Sequence, residues 1–511
     1  MGWKRRAASA VLAVGALIGA GAVLVARRPD RPILIHPVAG RLMLTGVTVV
    51  DPRSGTLTPG MTILMNAGRI VSVSARDPLP TDTAIEQVDG SGRYVVPGYN
   101  DMHAHPLGPD DPSGTLALML ANGITGFRQM HGSPEMLAER RGSRLPLGKD
   151  SPAALVLPGS LLTPFNAGSA KEAVAAVREQ KAAGADFIKL GLASPAAFFA
   201  ALSEARRVGL PLAGHLQRGV DAAAAAKAGM KAIEHLGPGD TLLVSCSTDE
   251  AKLREAIAKR PPVKAPPVKF PFMEQIFVGF IQKRIVNPAA HADAVDVARL
   301  GWIARTFSED KCRALAATFH ANGTWIVPTL VRLRTTELGD RPEYANDPNL
   351  RYMPPETVQS WRDATGLFTK NQTTTTKATY RIAFELQLRL TRLLDEAGVR
   401  MLAGSDDSGQ WEVPGFSLHQ EFDELAKAGL PPLRILQMTT SDPADFLGRA
   451  TTMGSVAAGH NADLVILAGD PIRDVANLHR IVGVVRAGFF YDQSKLAALK
   501  RRVEAGQGYL R

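Results

Sequence analysis

Between Val95 and Ser405 eight short apolar runs alternate with Ala-rich amphipathic stretches, and this alternation limits the chain to very few folds. The runs are Val95–His103, Ile124–Gln129, Ala154–Gly159, Asp186–Leu190, Leu210–His215, Ala232–His235, Trp325–Leu330 and Arg400–Ser405. Helical periodicity fills several intervals, notably Ala170–Ala183, Ala196–Val208, Val220–Ala228, Lys311–Ala321 and Ala378–Ala397. Eight strands with helical returns specify an α/β fold, a (β/α)8 TIM barrel, whose working residues belong at the C-terminal strand ends. Two intervals, about 240–310 and 331–377, exceed ordinary strand–helix connections and read as insertions over the mouth that shape a pocket. The Pro-rich run Pro261–Pro271 within the first cannot be a helix.

The flanks read differently. Residues 41–95 hold short alternating runs such as Leu42–Leu44, Val47–Val50, Thr62–Met65 and Arg69–Val73, punctuated by Gly, Pro, Asn and Asp. Similar text returns from Gly459 to Leu467 and from Ile481 to Gly488. Each piece is too small to stand alone, so 41–95 and 450–495 are expected to pair as one small β-sandwich domain around a barrel of 96–449. That leaves 29–40 as a linker and 496–511 as a tail.

Residues 1–28 carry a topological signal. Lys4, Arg5 and Arg6 precede an uncharged run, Ala7–Ala26, closed by Arg27 and Arg28. Its length is near the ~20 residues that a helix needs to cross a bilayer. Ala20-Gly21-Ala22 also offers a small-x-small cleavage site, so the segment reads as a membrane anchor or a secretory signal. Either places the folded body on the periplasmic, extracytoplasmic side. The anchor is favoured because the run continues to Ala26.

With 45% hydrophobic and 21% charged residues, wholesale disorder is excluded. The net charge of +10 is dispersed, with no basic stripe interleaved with aromatics, which argues against a nucleic-acid partner and suits anionic lipid or an acidic small molecule. Cys246 and Cys312 are far apart, without metal-ligand spacing, and are expected as two separate buried thiols.

The polar residues at the strand ends carry the chemistry. His103 and His105 close the first run; two residues apart on a strand, they project the same way and can share a cation. Alone, such a pair is more often structural. Lys189, His215, His235 and Asp406 occupy corresponding positions after later runs, and six polar residues at one rim point to a shared site. Imidazole and carboxylate suit Zn²⁺.

The order His-x-His, Lys, His, His, Asp resembles the amidohydrolase superfamily, most closely the branch related to imidazolonepropionases and metal-dependent prolidases. The likeness lies in Val96-Pro-Gly-Tyr-Asn-Asp-Met-His-Ala-His, Gly184-Ala-Asp-Phe-Ile-Lys, Ile233-Glu-His-Leu, Leu402-Ala-Gly-Ser-Asp and Gly459-His-Asn-Ala-Asp-Leu-Val-Ile-Leu. It implies two divalent metal ions: one held by His103, His105 and Asp406, the other by His215 and His235, bridged by a Lys189 carbamate formed from CO₂. It implies that Asp406 is the general base toward a metal-bound water and then the acid toward the leaving group. Asp407 is given no role, and His320, His419 and His460 are read as structural.

Arg128, Trp325, Thr329 and the stretch Ser408–Trp411 are expected to line the pocket; Arg128 either binds a substrate carboxylate or holds a loop by a salt bridge. The expected reaction is hydrolysis of a small-molecule amide, of a dipeptide, Xaa-Pro or N-acyl amino acid. A lactonase or phosphotriesterase, a mononuclear deaminase or cyclic amidase, and a membrane-tethered binding protein are the competing readings. Homo-oligomerisation is left open.

Overall fold

A computed structural model of the chain describes residues 39–75, 85–108, 111–238, 240–260, 284–407 and 409–506. The N-terminal anchor or signal segment, the Pro-rich run of the first insertion and Ser408 lie outside them. None of the described helices is long and apolar enough to cross a membrane.

The chain enters through β1 (Arg41–Val50), β2 (Leu57–Asn66), β3 (Arg69–Ser74), β4 (Ile85–Asp89) and β5 (Tyr94–Pro97). Seven parallel strands follow: β6 (Tyr99–Ala104), β7 (Ile124–Gln129), β8 (Ala153–Val156), β9 (Ile188–Leu190), β10 (Leu212–Gly214), β11 (Ala232–Glu234) and β12 (Trp325–Val327). β6, β7 and β8 form one sheet and β9 to β12 another. A parallel bridge, Leu162 to Leu190, lies between β8 and β9. The expected eighth strand is reduced to a bridge between Met401 and Ile326. Its backbone still bonds on both sides, from Leu402 N to Ile326 O (3.0 Å) and from Met102 N to Ala403 O (2.9 Å). The fold is TIM-barrel-like.

Side-chain alternation divides these strands into two layers. Met102, Met130, Phe187, Ala213, Ala232, Trp325, Val327 and Leu402 share one buried cluster enclosed by the strands. Phe127, Ile188, Leu190, Leu212, Ile233 and Ile326 face the other way, into the cluster built with the helices. The helices start on local signals: Ser169 and Glu172 form a capping box on Ala170–Ala182, and Ser194 caps Pro195–Arg207.

The chain returns through β13 (Leu464–Leu467), β14 (Ile481–Arg486) and β15 (Phe489–Asp492). β13 pairs antiparallel with β5, Leu464 opposite Pro97 and Leu467 opposite Tyr94. This seam joins both chain ends in one eight-stranded sheet, ordered β15-β14-β13-β5-β1-β2-β3 with β4 on β1. Since β5 runs through Gly98 directly into β6, the seam also fixes where the first functional strand begins.

Both long intervals are helical where described. The first contributes Thr241–Ser245, Glu250–Ala258 and Ala294–Thr306, the second Leu330–Glu337 and Pro355–Asn371. They pack on each other through Ala289, Ala290, Val297, Leu300 and Phe368.

The cysteines are not separate thiols. Cys246 and Cys312 form a disulfide with a Cα–Cα distance of 4.7 Å. The bond from Ser308 N to Cys246 O (2.8 Å) brings the end of one helix beside the first turn of Glu309–Asn322, a proximity that a sequence separation of 66 hides from a sequence reading. Closing a loop of that length contributes about 4 kcal/mol in the chain-entropy account. The double variant Cys246→Ser/Cys312→Ser is expected to unfold several degrees lower in a thermal melt. An unchanged midpoint would rule out a stabilising cross-link.

Candidate metal centre

Three histidine rings are fixed with their Nδ1 atoms donating and their Nε2 lone pairs free. His103 Nδ1 donates to Glu234 Oε2 (2.7 Å) and His215 Nδ1 to the Gly191 carbonyl (3.1 Å). His235 Nδ1 lies 2.6 Å from the Thr329 hydroxyl, which donates its own proton to the Pro328 carbonyl (2.8 Å) and so accepts from the ring. This is the tautomer that a metal-ligating imidazole needs. The Nε2 atoms of His103 and His235, joined by that of His105, face one carboxylate. His103 Nε2 is 3.3 Å and His105 Nε2 3.1 Å from Asp406 Oδ1, while His235 Nε2 is 3.9 Å from Oδ2. Ligand atoms of His103, His235 and Asp406 lie within 4.8 Å of one another, compact enough for one cation. The His215 ring is 5.1 Å from that of His235. Burial pushes the His215 imidazolium down to about 3 and that of His235 well below its ordinary range, so both rings are neutral, as ligation requires.

Backbone strain concentrates here. His235, Thr329 and Asp406 have φ of 57°, 45° and 55°, in the left-handed region that non-glycine residues seldom occupy. On β11, Ala232 and Glu234 face the interior and Ile233 faces the helices; strict alternation would send His235 outward. Its left-handed backbone turns the ring back to the site. Gly404 serves a different need: a Cβ there would lie 2.6 Å from His103 Cβ. Asp101 clamps the same junction, accepting from His103 N (3.1 Å), Ser405 N (3.0 Å) and Ser405 Oγ (2.6 Å). Asp407 Oδ1 accepts from His105 N (2.7 Å), so it supports the site without facing it.

Beneath the rings lies a buried charge pair. Arg128 donates from Nη2 to both oxygens of Glu234 (2.8 and 3.0 Å) and from Nε to the Met102 carbonyl (2.6 Å). Burial raises the Glu234 carboxyl, but Arg128 and His103 outweigh it and hold the group at about 2. Burial likewise opposes the charge on Asp406, but the His235, His103 and His105 rings around it outweigh burial and hold the carboxyl well below its ordinary range, which pairs the proton-poor rings with an ionised carboxylate. Lys189 reaches the same interior: its Nζ is buried without a hydrogen-bond partner. Burial pushes its ammonium down to about 8 against the upward pull of Glu234 and Asp406.

The pocket-lining expectations need correction. Arg128 is 1% exposed, with Nη2 bonded to Glu234 and Nε to Met102 O; one residue before the strand end and pointing into the closed interior, it cannot reach a substrate carboxylate. Trp325 opens β12 at the opposite end of the interior, edge-on to Phe446 at 5.3 Å, so it fills the core and lines no mouth. Thr329 belongs to the site, but as the acceptor that orients His235. Gln410 and Trp411 bond to Trp361 O (2.9 Å) and Gly339 O (3.1 Å), holding the second insertion. His320, His419 and His460 bond to the carbonyls of Gly398, Asn122 and Ala450, outside this cluster.

Sequence reading overlooked Glu234, Asp101, His131 and Arg332. His131 follows β7 near His105; burial of its ring, then His105 and Lys189, push its charged form down to about 4. Arg332 Nε lies 3.3 Å from Asp406 Oδ2.

Residues 386–490 match the model of the amidohydrolase family. No curated protein matches the chain. Among solved structures, a bottromycin amidohydrolase shares 22% identity and a TM-score of 0.64, over 95% of this chain and 92% of its own. A candidate prolidase from Bifidobacterium longum shares 19% with a TM-score of 0.57, over 91% of this chain and 100% of its own. An Xaa-Pro dipeptidase with methionine in its active site shares 16% with a TM-score of 0.57, over 89% and 100%. The family match is thus confined to residues 386–490, while the fold of amidohydrolases and prolidases extends over nearly the whole chain.

Proposed function

We propose that the protein is a binuclear hydrolase that cleaves a carbon–nitrogen amide bond in a small molecule: a dipeptide, an Xaa-Pro dipeptide or an N-acyl amino acid. The observation that carries this reading is the convergence of three histidine Nε2 atoms on Asp406 beside a buried amine that lacks a partner. His103, His105 and Asp406 would hold one divalent ion, zinc by donor type, and His215 and His235 the second. When bound, the ions would supply Lewis acidity toward the substrate carbonyl and acidity to a shared water. Asp406 would take a proton from that water and deliver it to the leaving nitrogen. Glu234 and Thr329 keep the His103 and His235 rings in the required tautomer.

Lys189 fits the bridge because a buried ammonium there would add a third positive charge, whereas its carbamate is an anion. The neutral amine, which reacts with CO₂, grows as pH is raised through about 8. The matching of amidohydrolase, prolidase and Xaa-Pro dipeptidase folds supports the amide class, and the two parallel sheets are read as parts of one closed barrel. The disulfide supports an extracytoplasmic location, with residues 1–28 as anchor or signal, 29–40 as linker and the barrel at 96–449.

Metal analysis, intact mass and a substrate panel of dipeptides, N-acyl amino acids, a lactone and a phosphotriester test the reading. The expected result is two ions per chain, a mass increment of one CO₂ and the highest kcat/KM on an amide. Lys189→Ala should lose the increment and at least about 100-fold in kcat, in line with loss of a ligand-shell group. One tightly bound ion with full Lys189→Ala activity would sink the binuclear reading.

A further inference from the structure

We propose that Arg332 is a positioning residue: its guanidinium fixes the Asp406 carboxylate and ties it to the Ile285–Val286 edge of the first insertion. The proposal rests on Asp406 being the base of the hydrolase read above.

Arg332 is 6% exposed and reaches three segments at once. Nε lies 3.3 Å from Asp406 Oδ2, Nη1 donates to the Val286 carbonyl (3.0 Å) and Nη2 to that of Ile285. The two carboxylate oxygens of Asp406 therefore have separate partners. Oδ1 faces His103 and His105, while Oδ2 faces Arg332 and, at 3.9 Å, His235. Rotation about the Cβ–Cγ bond would break both sets of contacts, so the carboxylate plane is fixed.

The other side of the guanidinium is walled. Glu412 accepts from Gly409 N (2.7 Å) and Thr335 Oγ1 (3.1 Å). A Cβ at Gly409 would lie 2.0 Å from Arg332 Nη1 and 2.2 Å from Glu412 Oε2, so only glycine lets that loop close over the pair. The helix Leu330–Glu337 carries Arg332 in its first turn, three residues after Thr329, which orients His235. Positions three apart are neighbours on a helix. One helical turn thus aims two members of the cluster, and a shift of the 285–286 edge is transmitted to Asp406. Arginine suits this place because its planar fork spans a carboxylate and two carbonyls, which a lysine ammonium cannot do.

The test compares Arg332→Met, Arg332→Lys and Gly409→Ala with Asp406→Asn in the metal-loaded full chain, using an Xaa-Pro dipeptide and the visible spectrum of Co²⁺-substituted protein. Arg332→Met is expected to lower kcat about 10- to 100-fold, as small misplacements of a catalytic group do, with KM changed less than about threefold. Arg332→Lys should fall between Met and wild type. Gly409→Ala, which crowds Nη1 and leaves the charge, should fall in the same direction, and the Co²⁺ bands should shift in both Arg332→Met and Gly409→Ala. Wild-type kcat and spectrum in those two, with Asp406→Asn inactive, would overturn the positioning role and leave the function standing. A rise in KM at constant kcat would overturn it in favour of substrate binding. Full turnover by Asp406→Asn, or no hydrolysis by wild type, would fell the reading of the reaction and this proposal with it.

Discussion

Asp406→Asn is expected to lower kcat by about 10²- to 10⁴-fold, the range attributed to general acid–base catalysis, while the fold survives. The asparagine keeps the shape of the side chain and tolerates the left-handed backbone at φ 55° better than most residues, so strain should not increase. What it removes is the anion on which His103, His105, His235 and Arg332 converge. An amide can still accept one hydrogen bond at Oδ1, but it cannot take up a proton from water at neutral pH. Steady-state kinetics with metal content and a thermal melt measured on the same preparation separate the outcomes. Loss of turnover with a midpoint within a few degrees of wild type is the expected pair. Retained turnover would remove Asp406 from the chemistry, and global unfolding would make it a structural residue.

The alternation of strands and helices was legible because each element announces itself locally. Ile124–Gln129 occupies β7 as read, and Ala170–Ala182 differs from the reading by one residue. The polar strand ends were legible for the same reason: an apolar run that stops in His or Asp is visible without any tertiary contact. What escaped depends on facing and on distance. Arg128 read as a rim residue because it lies near the end of its strand, yet Phe127 faces the helices and Arg128 therefore faces inward, below the level of Met130. Glu234 escaped because His235 beside it drew the attention, although alternation from Ala232 places the carboxylate inside. Arg332 stands at the start of a long irregular interval and read as insertion; only the folded contact shows that the insertion reaches back to Asp406. The disulfide pairing joins elements whose order along the chain says nothing of their proximity.

The charge pair below the histidine cluster should dominate stability. Arg128→Met leaves Glu234 as a buried anion whose only remaining polar partner among the contacts described is His103, and removing one partner of such a pair costs about 3–5 kcal/mol. The pH dependence follows from the direction of the shift. In the folded protein Glu234 is held at about 2, below the ordinary 4.5 for a glutamate, so its ionised form contributes stability that is present above pH 4.5 and lost as the pH falls toward 2. Without Arg128 the folded carboxyl loses its main counter-charge and its proton affinity rises. The destabilisation should then be full at neutral pH and shrink on acidification, because the protonated carboxyl no longer needs the guanidinium. The double variant Arg128→Met/Glu234→Gln should recover most of the loss, since it buries no unpaired charge and the glutamine carbonyl still accepts from His103 Nδ1. Glu234→Leu, which removes that acceptor, should instead weaken metal affinity about 10- to 100-fold, as loss of an outer-shell partner does. Urea melts of the four proteins at acidic and neutral pH, with metal titrations beside them, read both effects. Equal stability of wild type and Arg128→Met at neutral pH would show that the guanidinium does not hold the anion in place. Unchanged metal affinity in Glu234→Leu would detach the buried pair from the histidines above it.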